Sequence, residues 1–433
     1  MFRLRLVSLV LPLGLSVLAL AGCGDAEQEP TGAGGAGGAG GSGAGGGAPA
    51  GGPTYYEDIA PILNANCASC HLEGGIAPFS LLTYEDAKVV AGLAKMKTAA
   101  REMPPWNPSN DGECNTYSNA RWLTDEQIEL IGAWADAGAP AGDPAKAPPA
   151  PEAPKGLAKV DLSLDTGVDY LPDDSLTDDY RCFLVDPGLV EDGFVTGYEV
   201  IPGDERVVHH VIMYTNATAA GDAQAEALDA ADDGPGYQCF GGSGVGASDW
   251  TLAWAPGGSA QMYPAGTGLR IGAGRKAVIQ VHYNLTNGAF PDRTKINLTL
   301  ESKVDKQAQI VKVGTNDILL QPGETDAPAS GTMAVPAASG SFTVWAAAPH
   351  MHTRGRTLRV EYEESNKTTC LMDVKNWNFH WQGLGIYDTP LASTGGGTLK
   401  IRCGYDTTGE MDVVKNGEGT ADEMCLNLLY VTK

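Results

Sequence analysis

The chain has seven histidines in 433 residues, and five of them gather in three groups: His209-His210, His282, and His350-x-His352. Neutral imidazole is a ligand for Cu, Zn, Ni or Fe. On a β-strand residues i and i+2 point to one face, so His350 and His352 can grip one metal together. His209 and His210 are neighbours, and a regular strand sends them to opposite faces. They can share a metal only across a bend or bulge, completed by a third ligand such as His282. Five unrelated structural histidines is the competing reading, and clustering in so His-poor a chain weighs against it. No H-E-x-x-H string and no adjacent carboxylate is present. A three-His zinc site stays open on geometry alone. A blue-copper site needs a Cys close to a His, and outside one string no Cys has that relation. His380, in Phe379-His380-Trp381-Gln382, is left unassigned and read as structural.

That one string is Cys67-Ala68-Ser69-Cys70-His71, the spacing of c-type haem attachment. Cys67 and Cys70 would bind the haem vinyl groups and His71 the iron. A redox C-x-x-C is the alternative. Met103, in Met103-Pro104-Pro105-Trp106, is the candidate distal ligand, with Met96 as competitor. A thioether opposite His raises the haem potential, which suits electron transfer.

The histidines and cysteines need elements to hold them. A helical lead-in runs from Tyr56 to Ala65. Thr124 and Gln127 form a capping-box pattern, Ile128, Ile131 and Trp134 share a helix face, and Gly138 is a stop. Residues 54–137 therefore read as a small all-α, cytochrome c-like domain. After Leu157 helical periodicity nearly vanishes. Alternating runs replace it at Ala277–Leu285, Lys295–Leu300, Thr357–Tyr362, Thr398–Cys403 and Cys425–Val431, which suggests sandwiches or jelly rolls. An Ala-rich patch around Asp222 to Ala231 is the exception, a short helix or a loop. Residues 138–157 form a Pro-rich linker, extended and semi-rigid by composition.

The N-terminus reads as an address. Arg3 and Arg5 precede an apolar run, Leu6 to Leu20, too short for a comfortable membrane span. Leu20-Ala21-Gly22-Cys23 resembles a bacterial lipobox, so residues 1–22 read as a lipoprotein signal peptide and Cys23 as the lipidated residue. An ordinary secretory signal is the alternative. Either places the mature chain where disulfides persist. Gly24 follows Cys23, so an Asp inner-membrane retention signal is absent, which points to the outer membrane of a bacterial envelope. Residues 23–53 are a Gly-rich tether, its stretch 31–53 reaching roughly 25 Å as a random coil. With 29 basic and 53 acidic residues, a net charge of −24 argues against a nucleic-acid partner.

Taken in order, H-H-V, Q-V-H-Y, H-x-H-x-x-G-R and D-E-M-C resemble the copper type II, ascorbate-dependent monooxygenases, which include the peptidylglycine α-hydroxylating and dopamine β-monooxygenases. The resemblance covers about 160–433. It implies two copper ions, besides the one covalent haem c read from the string above, and two jelly-roll domains, 158–307 and 308–433, facing across a solvent cleft. His209, His210 and His282 would hold an electron-transfer copper. His350, His352 and Met424 would hold the O2-binding copper; without the resemblance Met424 reads as core. Gln280 and Tyr180 also match family positions, or serve packing. The resemblance pairs Cys403 with Cys425 and Cys182 with Cys239, leaving Cys114 and Cys370 to pair or stay free. Where the peptide-processing enzymes carry a carboxylate-binding Arg stands Ala348, and Leu426-Asn427 is closer to the dopamine type. A C-terminal glycine peptide is therefore not the expected substrate. The expected activity is hydroxylation of a small organic substrate with O2. Electrons would come from the fused haem, from ascorbate or from a periplasmic redox carrier. A copper-binding or electron-storage lipoprotein is the second hypothesis, and a lipid-anchored scaffold with relic metal sites the third.

Overall fold

In the computed structural model the described residues are 51–73, 77–151, 156–239, 242–256, 258, 260–286, 288–417, 419 and 421–433. The signal, Cys23 and most of the tether lie outside them. The described residues belong to one compact unit. Among the described residues no helix is long and apolar enough to cross a membrane.

The first described segment is helical. A π-helical turn, Tyr55–Ile59, runs into α1, Ala60–Asn66. Next come α2, Tyr84–Val89, α3, Ala91–Ala99, and α4, Asp125–Asp136. The Thr124 side chain accepts from the Gln127 N–H, and the Gln127 side chain returns the bond, so the capping box forms as the sequence predicts. Ile131 and Trp134 of α4 pack with Tyr55, Ile59 and Leu63 in one small core. The start of the expected linker is not free. Tyr55 N–H donates to Pro140 O at 2.9 Å and Trp134 Nε1 to the same oxygen at 3.0 Å. The chain turns back there because these buried donors need acceptors.

The rest is β, with one α-helix among the described residues, Ala219–Ala231, at the Ala-rich patch. A nine-stranded sheet runs through the whole β region. Along its main path the strands are Leu162–Asp165, Lys295–Glu301, Gly193–Ile201, Thr267–Ile271, Lys306–Thr315, Cys425–Thr432, Phe342–His350 and Gly385–Ser393. A five-stranded sheet containing Asp178–Val185, Val208–Asn216 and Ala277–Asn284 covers the first half. Phe183, Met213 and Val281 of that sheet pack with Val195, Ile271 and Ile296 of the long one. A four-stranded sheet containing Gly355–Glu364 and Thr398–Tyr405 covers the second half, where Leu358, Val360 and Ile401 pack with Val344 and Leu429. The result is two β-sandwiches. They differ from two separate jelly rolls in sharing a sheet: Lys306–Ala308 pairs parallel with Thr267–Leu269. The inter-sandwich link is thus a hydrogen-bonded ladder.

Candidate metal centres and the cavity between them

His282 sits in the middle strand of the five-stranded sheet, opposite Tyr180 on one side and His210 on the other. The register with Val208–Asn216 shifts between Val208 and His210. This bulge takes His209 out of alternation, so both neighbours can face His282. His209 Nδ1 and His210 Nδ1 each stand 3.2 Å from His282 Nδ1. One ring nitrogen from each of the three lies within 4.8 Å of the others. Behind the cluster, His282 Nε2 meets Asp178 Oδ1 at 2.8 Å. An Nε2–H donated to that carboxylate leaves the Nδ1 lone pair turned toward the other two histidines. Tyr180 stacks on the His282 ring at 4.1 Å and 7°. Gln280 lies two residues away and donates to Gly242 O at 3.2 Å. Burial, then His380, hold His209 down at about 4, and burial holds His210 and His282 well below the usual range. Three neutral imidazoles with converging nitrogens fit a soft or borderline metal. Among the described residues His209 Nε2 is a buried polar atom with no partner.

His350 ends its strand, paired with Leu426. His352 lies just beyond the strand, so the i, i+2 argument covers only its first half. The rings nonetheless stand 5.2 Å apart. His350 Nδ1 meets Gln382 Oε1 at 2.5 Å, and His352 Nδ1 meets Asp422 O at 3.1 Å. Donation from both Nδ1 atoms leaves both Nε2 lone pairs available to a metal. Met424 is buried and lines the same cavity wall as these two rings. Glu423, wholly buried, ties the pieces together: its carboxylate accepts from His352 N at 2.9 Å, Arg354 N at 2.7 Å and Met424 N at 3.3 Å. Burial pushes its carboxyl up to about 7 against those three bonds. Sequence reasoning quoted Glu423 inside D-E-M-C and gave it no role. Gly355 of H-x-H-x-x-G-R has a packing reason. A Cβ there would stand 2.7 Å from Trp377 Cδ1, and Trp377 Nε1 donates to His352 O at 2.9 Å.

The loop 376–384 joins the clusters. Phe379 stacks on His209 at 4.9 Å and meets His352 edge-on at 6.0 Å. His380, unassigned from the sequence and read as structural, lies exposed with its ring 5.8 Å from His209. Beside the clusters lies a cavity of about 140 Å3. His210, His350, His352 and Met424 line it, with Tyr180, Trp250, Trp254, Phe379 and Ala348 among its apolar walls. Lys312 lines it too, and no carboxylate does among the described residues.

Three disulfides form: Cys182–Cys239, Cys403–Cys425 and Cys114–Cys370. The second anchors the residue beside Met424. Among the described residues Cys67 and Cys70 are the free cysteines. His71 Nδ1 lies 3.0 Å from Phe79 O, so a donated Nδ1–H leaves Nε2 for a metal. Met96 is 59% exposed, whereas Met103 is half-buried. Met103 lines a small cavity with Trp106, Trp122, Leu123 and Ile128; Cys67, Cys70 and His71 are not among its walls.

Residues 306–432 match the family model of the copper type II ascorbate-dependent monooxygenase, C-terminal domain. That span holds His350, His352 and Met424. A tyramine beta-hydroxylase of Caenorhabditis briggsae is 24% identical over 294 residues, 64% of this chain and 46% of that protein. A DBH-like monooxygenase protein 1 of Gallus gallus is 25% identical over 252 residues, 52% and 39% respectively. The alignments thus span less than half of these relatives. Among solved structures, a peptide-N(4)-(N-acetyl-beta-D-glucosaminyl) asparagine amidase superposes with a TM-score of 0.31 at 11% identity, over 63% of this chain and 96% of that one. That likeness is too remote to bear on function. The family model and the two relatives together support a copper-dependent monooxygenase, an oxidoreductase, as the class to which the β region is similar.

Proposed function

We propose that the chain hydroxylates a C–H bond of a small organic substrate with O2, using one copper at each histidine cluster. The observation that carries this is the shared cavity. It brings His350, His352 and Met424 to the wall of an apolar chamber that His210 also lines. A thioether beside two imidazoles is a soft, weak ligand that favours Cu(I). Bound there, copper would supply O2 activation, and the first copper would supply a one-electron store. The chain's own residues do the rest. Asp178 and Gln382 fix ring orientation, Glu423 holds Met424 beside His352, and the aromatic walls exclude water. An engineered apolar cavity of about 150 Å3 takes up benzene, so this chamber has room for one aromatic ring. With Lys312 as the lining cation and no lining carboxylate among the described residues, an ammonium substrate would find no counter-charge there.

We further propose that Cys67, Cys70 and His71 carry a covalent haem c, which would supply electrons alongside ascorbate or a periplasmic carrier. The free thiol pair and the orientation of His71 support this. Met103 is the proposed sixth ligand. Lipid attachment at Cys23 would hold the protein on the bacterial envelope, at the outer membrane.

The test is turnover of the copper-loaded chain with ascorbate, 18O2 and matched neutral, anionic and cationic arylalkyl compounds. A product carrying one 18O is expected. Two bound coppers with no labelled product would leave a copper and haem electron-transfer protein instead.

A further inference from the structure

Residues 106–120, between α3 and α4, leave the helical core and lie along the second sandwich. Cys114 is bonded to Cys370, 256 residues away in sequence. Tyr117 bridges Tyr387 in antiparallel register and packs its ring against Trp106 and Tyr387. Gly385 must be glycine for this approach, since a Cβ would stand 2.7 Å from Tyr117 Cδ1. Two asparagines bracket the 376–384 loop. Asn107 is 5% exposed. Its Nδ2 donates to Asn378 O at 3.0 Å and Trp381 O at 2.7 Å, and its Oδ1 accepts from Asn378 N at 2.8 Å. Asn119 Nδ2 donates to Leu384 O at 2.7 Å, and its Oδ1 accepts from Ile386 N at 2.9 Å. Between the brackets stand the side chains that touch the histidines: Phe379 on His209 and His352, and Gln382 on His350 Nδ1.

We infer that this strap is a working part of the oxygen site. Asn107 and Asn119 are positioning residues that hold the loop, and through it Phe379 and Gln382, against both histidine clusters. The inference rests on the copper reading above, and it goes beyond it by making the N-terminal module a structural component of the site. Its physical basis is that the loop has no regular ladder of its own through 376–384. A backbone without secondary structure takes its order from side-chain partners, and here the strap supplies them. Groups that orient a metal-bound histidine from behind typically alter metal affinity or activity by about 10- to 100-fold.

The experiment uses the full chain with Asn107→Ala, Asn107→Asp and Asn119→Ala. Asn107→Asp keeps the size and the bond from Asn378 N–H but loses both donors, so it separates hydrogen bonding from packing. In the metal-free chain, amide exchange of Asn378 to Gln382 should rise at least about tenfold in Asn107→Ala, and that of Phe379 to Gln382 in Asn107→Asp, with the strand Lys367–Val374 unchanged. In a His209→Ala background, Cu(I) competition should show about tenfold weaker binding at His350–His352, and the Cu(II) EPR spectrum should change. Faster exchange with unchanged copper affinity and spectrum overturns the inference, as does unchanged exchange. If Asn107→Ala does not fold, Asn119→Ala on the other side of the loop gives the same readouts. A parent chain that binds no copper would instead overturn the functional reading, and the exchange data would still decide whether the strap orders the loop.

Discussion

At the first histidine cluster every histidine lies within a strand, His209 at its bulge; at the second, His350 alone does. His209, His210 and His282 lie on two adjacent strands of one sheet, with a third strand bringing Asp178 behind them. His350 ends a strand, His352 follows it, and Met424 comes from just before another strand. Their support is loop chemistry: Gln382, the Asp422 carbonyl and the buried Glu423. A ladder-built site changes geometry little when its charge changes, which suits an electron store. A loop-built site beside a cavity can adjust its ligands as a substrate and O2 arrive. The contrast matches the asymmetric roles proposed for the two metals.

The largest expected effect is loss of the second site. His352→Ala should reduce hydroxylation below detection while copper binding at the first site survives, read as one copper lost per chain. If His209→Ala and His352→Ala each lose both coppers, the sites are not separable and the comparison fails.

The next effect sharpens it. Asp178→Asn should weaken first-site copper binding toward the upper end of the 10- to 100-fold range typical of outer-sphere partners, because a charge behind His282 is removed. Gln382→Ala should weaken the second site by only about tenfold, since a neutral amide is lost. Copper competition titrations of the two variants give the ratio.

Glu423→Gln comes third. One accepting oxygen becomes an N–H donor facing backbone N–H groups, and a buried polar mismatch costs about 1–3 kcal/mol. A denaturant melt of the metal-free chain should show that loss, whereas Asp422→Ala, whose backbone carbonyl is the His352 partner, should cost less.

The smallest effect belongs to the strap's surface. Lys375 Nζ pairs with Asp111 and Glu113 at 2.7 Å each, but its side chain is 49% exposed. Lys375→Ala should change stability by under about 1 kcal/mol. A larger change in the melting curve would mean that charge, and not the buried asparagines, holds the strap.

Features carried by short spacings were legible in the sequence. The Thr124–Gln127 capping box, the α4 face, the C-x-x-C-H string and the need for a bulge at His209-His210 depend on a few consecutive residues. The pairing of Cys114 with Cys370 was left open, and the structure closes it. Beyond the ligand sets that the resemblance grouped, residues acting across long separations were not legible. Asp178 stands 104 positions from His282, and Asn107 stands 271 from Asn378. Phe379, Gln382 and His380 sit in a polar-aromatic stretch that carries no periodic pattern, so nothing local marked it as the bridge between the clusters.

The sequence by itself therefore determined the chemical inventory: which nitrogens, thiols and thioether are available, and which neighbours share a strand. Local backbone geometry dictates that much, because alternation and helical period act over a few residues. Only the tertiary structure decided what stands between and behind the histidines. Those contacts close chain loops of 32 residues at Gln382, 71 at Glu423 and 104 at Asp178, where the packing of one sandwich, its shared sheet and the strap select the partner.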